Sequence, residues 1–228
     1  MTTTTNTTAA NPTTALPVAQ LSEAGFVQDD FATFKIDGLE QRMAAIQSRI
    51  QPKFRALGER LTHELMPAAG DELFLHVAKH ARRTVNAPKD TWMALCNNKR
   101  GYKQHPHFQL GLFDDHLFLW LAFIYELPNK SAIASALLGE LDTVIRTVPS
   151  DYVVSFDHMK KDSMPVAGMT ESDWRAALTR FRDVKSAELL IGRHLKPGDA
   201  TVQSGEKLLA NAIETYETLM PLYRVAMR

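Results

Sequence analysis

The stretch "LFLHVAKHARRTVNAPKDTWMALCNNKRGYKQHPHFQLGLFDDHLFLWLAFIYE", residues 73–126, decides the fold. Runs of Val, Phe, Trp and Leu alternate here with turn chemistry, "NAPKD" at 86–90, "NNKRGYKQHP" at 97–106 and "DDH" at 114–116. Four strands are predicted, Leu73–Val85, Thr91–Cys96, Phe108–Phe113 and Leu117–Glu126. The links between them are too short for the crossover a parallel pair requires, so the strands should join as antiparallel hairpins. The last is apolar on both faces, with Phe118, Trp120 and Ala122 opposite Leu119, Leu121 and Phe123. It should therefore be covered on both sides.

Upstream, Leu39, Met43, Ile46, Ile50, Phe54, Leu57, Leu61 and Leu65 recur at steps of three and four. That is one apolar stripe on a long helix, better suited to packing on a sheet than to a coiled coil. Asp37 is placed to cap its start, and Pro52 should kink it near Gln51. A first strand is expected within "GFVQDDFATFKI", residues 25–36. Downstream come a helix from Ser131 to Val148, a strand "DYVVSF", a helix capped by Thr170, a strand "AELLIGRHL" and a helix starting at Ser204. The order β-α-β-β-β-β-α-β-α-β-α makes this an α+β protein, a large curved antiparallel or mixed sheet packed on the long N-terminal helix and further helices.

The phrases "FKIDGLEQRMAAIQSRIQPKF" (34–54), "HVAKHARRTVNAPKDTW" (76–92), "NKRGYKQHPHFQLGL" (98–112) and "FIYELPNK" (123–130) follow in this order and spacing. In them the chain resembles the bacterial YktB-like family, a domain of unknown function, from about Gly25 to Tyr223. The resemblance implies an α+β fold with a large antiparallel sheet. It implies no activity and supplies no catalytic residues.

The first residues, "MTTTTNTTAANPTTALP", hold neither a basic start nor a continuous apolar run, so they do not read as a secretory signal. Residues 1–22 are expected to be a disordered Thr-rich tail, and 23–228 a single domain. The lone Cys96 cannot form an internal disulfide, and no apolar run approaches the roughly 20 residues of a membrane span, so a cytoplasmic location is expected. Lys and Arg number 26 and so do Asp and Glu, which argues against a protein that coats nucleic acid through bulk charge.

Charge is nevertheless uneven. Between His76 and His107 lie four of the eight histidines, with Lys79, Arg82, Arg83, Lys89, Lys99, Arg100 and Lys103 against the single acid Asp90. Guanidinium groups grip phosphate or carboxylate through paired hydrogen bonds. The leading expectation is therefore a small anionic ligand at a basic cleft rim, with His76, His80, Arg82, Arg83, Lys99, Arg100, Tyr102, His107 and Arg193 as candidate contacts. Gly101 would allow a turn that presents backbone N–H groups to the anion, and His158 would join the rim from a later strand. Two alternatives stand beside this: an enzyme acting on such a ligand with a histidine as general acid or base, and a nucleic-acid-binding protein using the same patch. Glu126 and Asp157 qualify as general bases only if the fold brings them to the basic window.

No metal or other cofactor is assigned. In a strand His76 and His80 would lie about 13 Å apart, too far for one ion, and His105 with His107 lack evident further ligands. There is no G-x-S-x-G elbow, Walker loop, G-x-G-x-x-G turn or H-E-x-x-H helix. Cys96, sharing a strand face with Trp92 and Ala94, reads as a structural thiol. The oligomeric state is left open.

Overall fold

A computed structural model describes residues 19–228. The Thr-rich tail lies outside the described residues through residue 18; its last four positions form a short helix, α1 (Ala19–Ser22), whose Leu21 packs on the core.

Among the described residues seven strands form one antiparallel sheet: β1 (Phe74–Val77), β2 (Thr91–Cys96), β3 (His107–Leu112), β4 (Leu117–Phe123), β5 (Val153–Ser155), β6 (Met164–Pro165) and β7 (Leu189–Leu195), in the order β1-β2-β3-β4-β7-β5-β6. The hairpins expected from the short links are present, and β4 is central and buried along its whole length. The first strand is shorter than its sequence suggests. It ends at Val77, and 78–90 becomes a loop, because from Lys79 onward neither side of the chain offers apolar groups to bury.

Residues 25–36 are not a strand. They form α2 (Gln28–Ala32) followed by a 3-10 turn (Thr33–Lys35). Asp30 drives this locally: its carboxylate accepts the Val27 N–H at 2.8 Å, closing the first turn, and pairs with Lys53 at 2.6 Å.

The stripe helix runs from α3 (Leu39–Ala45) through a π-helical segment (Ile46–Ile50) into α4 (Gln51–Ala69). The kink expected at Pro52 is thus a widened turn just before it, where the proline's missing donor and its ring can be accommodated. Asp37 does not cap α3. Gly38 stands at the N-cap with φ of 83°, a backbone geometry that favours glycine. Thr170 does cap α7 (Glu171–Asp183), in a reciprocal arrangement with Asp173, and Ser204, just after the short α8 (Ala200–Gln203), caps α9 (Gly205–Ala226). The expected 131–148 helix is two, α5 (Lys130–Gly139) and α6 (Leu141–Thr147), parted at Glu140 after the poor helix former Gly139.

The helices cover one face of the sheet. Phe54, Leu57 and Leu61 of α4 and Tyr216, Leu219 and Tyr223 of α9 close over Met93, Leu95, Phe108, Leu110, Leu119 and Leu121. No helix among the described residues lies over the other face. Its residues form cross-strand rows, His76–Ala94–Gln109–Trp120–Gly192–Val153 and Trp92–Gly111–Phe118–His194. Gly111 and Gly192 leave the space in which the Phe118 and Trp120 rings lie, since a Cβ at Gly111 would fall 2.3 Å from Phe118 and one at Gly192 only 3.1 Å from Trp120. Loops 78–90, 97–106 and 156–163 fold across this second face and bury it.

Candidate functional site

The loops bring histidines and aromatic rings together on the second face. Tyr102 lies with its ring 4.9 Å from that of His107 and 5.5 Å from that of His76, and its hydroxyl accepts the Trp92 indole N–H at 2.9 Å. Burial raises its pKa to about 12, so the phenol keeps its own proton as a donor. The Trp92 ring meets the rings of His80, at 5.6 Å, and His158, at 6.0 Å.

Beside Tyr102 opens a cleft of about 790 Å³. It is lined by the end of β1, the 97–106 loop and Glu126, and it carries His76, Lys79, Arg100, Tyr102, Lys103 and His105. Lys103 pairs with Glu126 at 3.0 Å, whereas no carboxylate pairs with Lys79 or Arg100 among the described residues. The loop is shaped by Asn98, whose side-chain oxygen accepts the N–H groups of Arg100 at 2.8 Å and of Gly101 at 3.3 Å. Those two N–H groups therefore close a turn and do not face an anion, and Gly101 adopts no positive φ. The Asn98 carbonyl accepts from Nε2 of His76 at 2.8 Å, so in the neutral ring Nδ1 is left as an unprotonated acceptor. Cys96 is buried and its thiol points to the same carbonyl; burial raises its pKa, as suits an inert thiol.

Of the nine candidate contacts, His76, Arg100 and Tyr102 line this cleft. The other six lie elsewhere. His107 is fully buried beneath Tyr102, with Nδ1 on the His105 carbonyl and Nε2 on the Gln109 amide, both at 2.8 Å. Burial depresses its pKa to about 3. His80 sits in the loop at φ of 49°, its Nε2 engaged with Thr91 Oγ1, and burial together with the charge of Arg83 lowers its pKa to about 4. Both rings are occupied by the protein and neutral, so neither orients a ligand in the cleft. Arg82 and Lys99 are exposed outside the lining, and Arg83 turns toward His80 and Asp90. Arg193 projects to the opposite, helix-covered side, where it pairs with Asp151 and Glu214 and lies 4.7 Å over the Tyr152 ring. Sequence reasoning missed Lys79, Lys103 and His105 as lining residues, although all three stand in the basic window.

A second polar group lies beyond Trp92. Asp90 is 0 % exposed, and neither carboxylate oxygen has a hydrogen-bond partner from another residue. Burial raises its pKa to about 6, opposed by the charges of His158 and Arg83 and by its own backbone N–H. His158 is held by Glu188, both of whose carboxylate oxygens lie 2.8 Å from Nδ1, and its backbone N–H donates to the same carboxylate.

With this geometry in hand, the chain can be placed among known proteins. Residues 26–223 match the family model described as "Domain of unknown function (DUF1054)". A UPF0637 protein of Shouchella clausii is 57% identical over 203 residues, covering 89% of this chain and 95% of that protein. Another, from Oceanobacillus iheyensis, is 54% identical over 203 residues, 89% of this chain and 97% of that one. A third, from Exiguobacterium sibiricum, is 51% identical over 199 residues, 87% and 96% of the two chains. The chain belongs to this uncharacterised bacterial family, in agreement with the YktB-like resemblance.

Proposed function

We propose that the protein binds a small anionic ligand, bearing phosphate or carboxylate, in the cleft beside Tyr102. The observation that carries this reading is the convergence of Lys79, Arg100 and Lys103 on one concave space of about 790 Å³, with Glu126 the only acid in its wall. Two of the three cations have no carboxylate partner among the described residues, so their charge is available to a ligand. Arg100 offers the paired donors that planar oxyanions accept, and Lys79 adds a point charge. The volume suits a metabolite-sized molecule. A concave cluster also favours a small ligand over nucleic acid, which needs cations spread along a strip. No helix among the described residues is long and apolar enough to cross a membrane, and we place the binding event in the cytoplasm, where the single buried thiol of Cys96 would stay reduced.

A catalytic version of the same reading is favoured by His76. Its Nε2 is fixed on the Asn98 carbonyl, which leaves Nδ1 as a base on a residue that lines the cleft. The test is thermal-shift and calorimetric screening against inorganic phosphate, pyrophosphate, nucleotides, phosphorylated sugars and dicarboxylates. A ligand at 100 times its dissociation constant should stabilise the fold by about 2.7 kcal/mol. Arg100→Ala should abolish that shift. Silence across the panel, or an equal response from the variant, would remove the proposal.

A further inference from the structure

We propose that Asp157, His158 and Glu188 form a binding site for one divalent transition-metal ion, with Asp90, within electrostatic reach of the histidine, as a positioning residue. This site is separate from the anion cleft, and does not rest on it.

Three observations lead there. The first is the donor set. One ligand atom from each of the three residues lies within 4.8 Å of the others, and His158 Nδ1 is equidistant, at 2.8 Å, from the two oxygens of Glu188. One imidazole and two carboxylates suit manganese, iron(II), cobalt or zinc better than calcium or magnesium, which favour oxygen alone. Burial is graded in the sense such a centre needs. The side chains of Glu188 and His158 are 3% and 8% exposed, while Asp157, at 39%, opens on a cavity of about 460 Å³ lined also by Asp162 and Ser163. Coordination positions on that side would remain for water or a ligand.

The second is the surrounding shell. The Glu188 carboxylate accepts backbone N–H groups from His158 at 2.7 Å and from Tyr125 at 3.3 Å, and Asp157 accepts that of Met159 at 2.9 Å. Bonds of this kind fix ligating carboxylates in place before any ion arrives. Two cations, Lys160 and Arg180, line the same cavity, and Lys160 Nζ stands 3.2 Å from the second oxygen of Asp157. It is exposed and can swing into water. The ammonium of Lys130 is clamped on the carbonyls of Val184, Lys185 and Ala187 and lies within electrostatic reach of Glu188 without bonding it.

The third, independent of both, is Asp90. A buried carboxylate with no partner is costly, and the structure holds one within electrostatic reach of His158. A neutral imidazole carries one proton. In that neutral form, with Nδ1–H on Glu188, Nε2 has no hydrogen to give, and no other group bonds the Asp90 carboxylate. An ion on Nδ1 would shift that proton to Nε2 and create a donor on the ring edge away from Glu188. Ligating histidines commonly give their second N–H to a carboxylate in this way.

The experiment is calorimetry and metal analysis on the full chain, stripped with a chelator and titrated separately with MnCl₂, CoCl₂ and ZnCl₂. One ion per chain should bind, and Co²⁺ should develop a visible absorption band. Asp157→Asn, at a partly exposed position where the fold should survive, should weaken binding at least tenfold. Asp90→Asn should weaken it by about 10- to 100-fold, the usual effect of removing such a partner. Lys160→Ala should tighten it, and Lys79→Ala, at the anion cleft, should leave it unchanged. ¹⁵N spectra of His158 add a separate readout: with Zn²⁺ the proton should pass from Nδ1 to Nε2, and Asp90→Asn should shift the Nε2 resonance of the metal-loaded ring, which a merely structural Asp90 would leave in place. Absence of binding by all three ions at millimolar concentration overturns the site. So does binding that Asp157→Asn and Asp90→Asn both leave intact.

Discussion

On the helix-covered side of the sheet, β2, β3, β4 and β7 contribute Met93, Leu95, Phe108, Leu110, Leu119, Leu121, Leu189 and Ile191, all buried against α4 and α9. On the loop-covered side the same strands contribute Trp92, His107, Gln109, Trp120 and His194, and the loops add Asp90, Tyr102 and His158. The first side is fully buried and the second mostly so, and they are held differently. Leucine and phenylalanine need only volume and contact, so the first side is a matter of packing. Imidazole, indole, phenol and carboxamide must each find a partner once buried, and most do: Trp92 on Tyr102, His107 on Gln109 and His105, His158 on Glu188. A polar network of this sort adds little stability over an apolar one and is vulnerable wherever one member lacks a partner, as Asp90 does. The difference separates the part of the sheet that holds the protein together from the part equipped to recognise something.

The sharpest way to break the comparison is to cut into each side. Phe108→Ala removes a ring that lies 4.8 Å from Tyr216 and 5.0 Å from Tyr223 and should cost about 3–5 kcal/mol in urea unfolding. Trp92→Phe on the opposite side keeps most of the ring and removes one hydrogen bond, an expected loss of about 1 kcal/mol. Equal losses would mean that the loop-covered side is as much a packing core as the other.

Acid should act almost wholly through the loop-covered side. His80, His107 and His194 have folded pKa values lowered to about 4, 3 and 3, while the unfolded chain takes up these protons near 6.5. Between those limits the unfolded state binds more protons, so their stabilisation is complete above pH 6.5 and is lost as pH falls toward 3, by several kcal/mol in total. Asp90 runs the other way: its folded value is raised to about 6 from 3.8, so its contribution falls as pH rises through that interval. Asp90→Asn, measured with chelator present, should therefore stabilise the fold at pH 7 by about 2 kcal/mol and have no such benefit at pH 4. Thermal melts across pH check both signs. Smallest of all is the effect of Arg100→Ala on the unliganded fold, expected within about 0.5 kcal/mol because the side chain is exposed and unpaired.

The helix-covered side was legible in the sequence almost residue by residue. Its strands alternate, its helical stripe repeats at three and four, and Thr170 and Ser204 mark helix starts by side-chain chemistry that acts locally. What escaped was set by contacts distant in sequence or by a competing local bond. Residues 25–36 looked extended, yet Asp30 folds them into a turn through Val27 and Lys53. The strand predicted to run on to Val85 ends at Val77, because from Lys79 onward neither side of the chain offers apolar groups to bury. The basic window was visible as composition, and three of its nominated residues line the cleft, whereas His80 and His107 were claimed by Thr91, His105 and Gln109, partners that only the folded register brings near. The Asp157–His158–Glu188 group was illegible for the same reason, since thirty residues separate His158 from Glu188 and no motif spacing links them.

The most direct trial of the anion-cleft reading is a ¹H–¹⁵N correlation titration of the full chain with inorganic pyrophosphate. Saturable shifts confined to Lys79, the 98–105 loop and Glu126, and absent in Arg100→Ala, are the predicted result. Shifts scattered over lysines and arginines across the surface, or none at all, would contradict it.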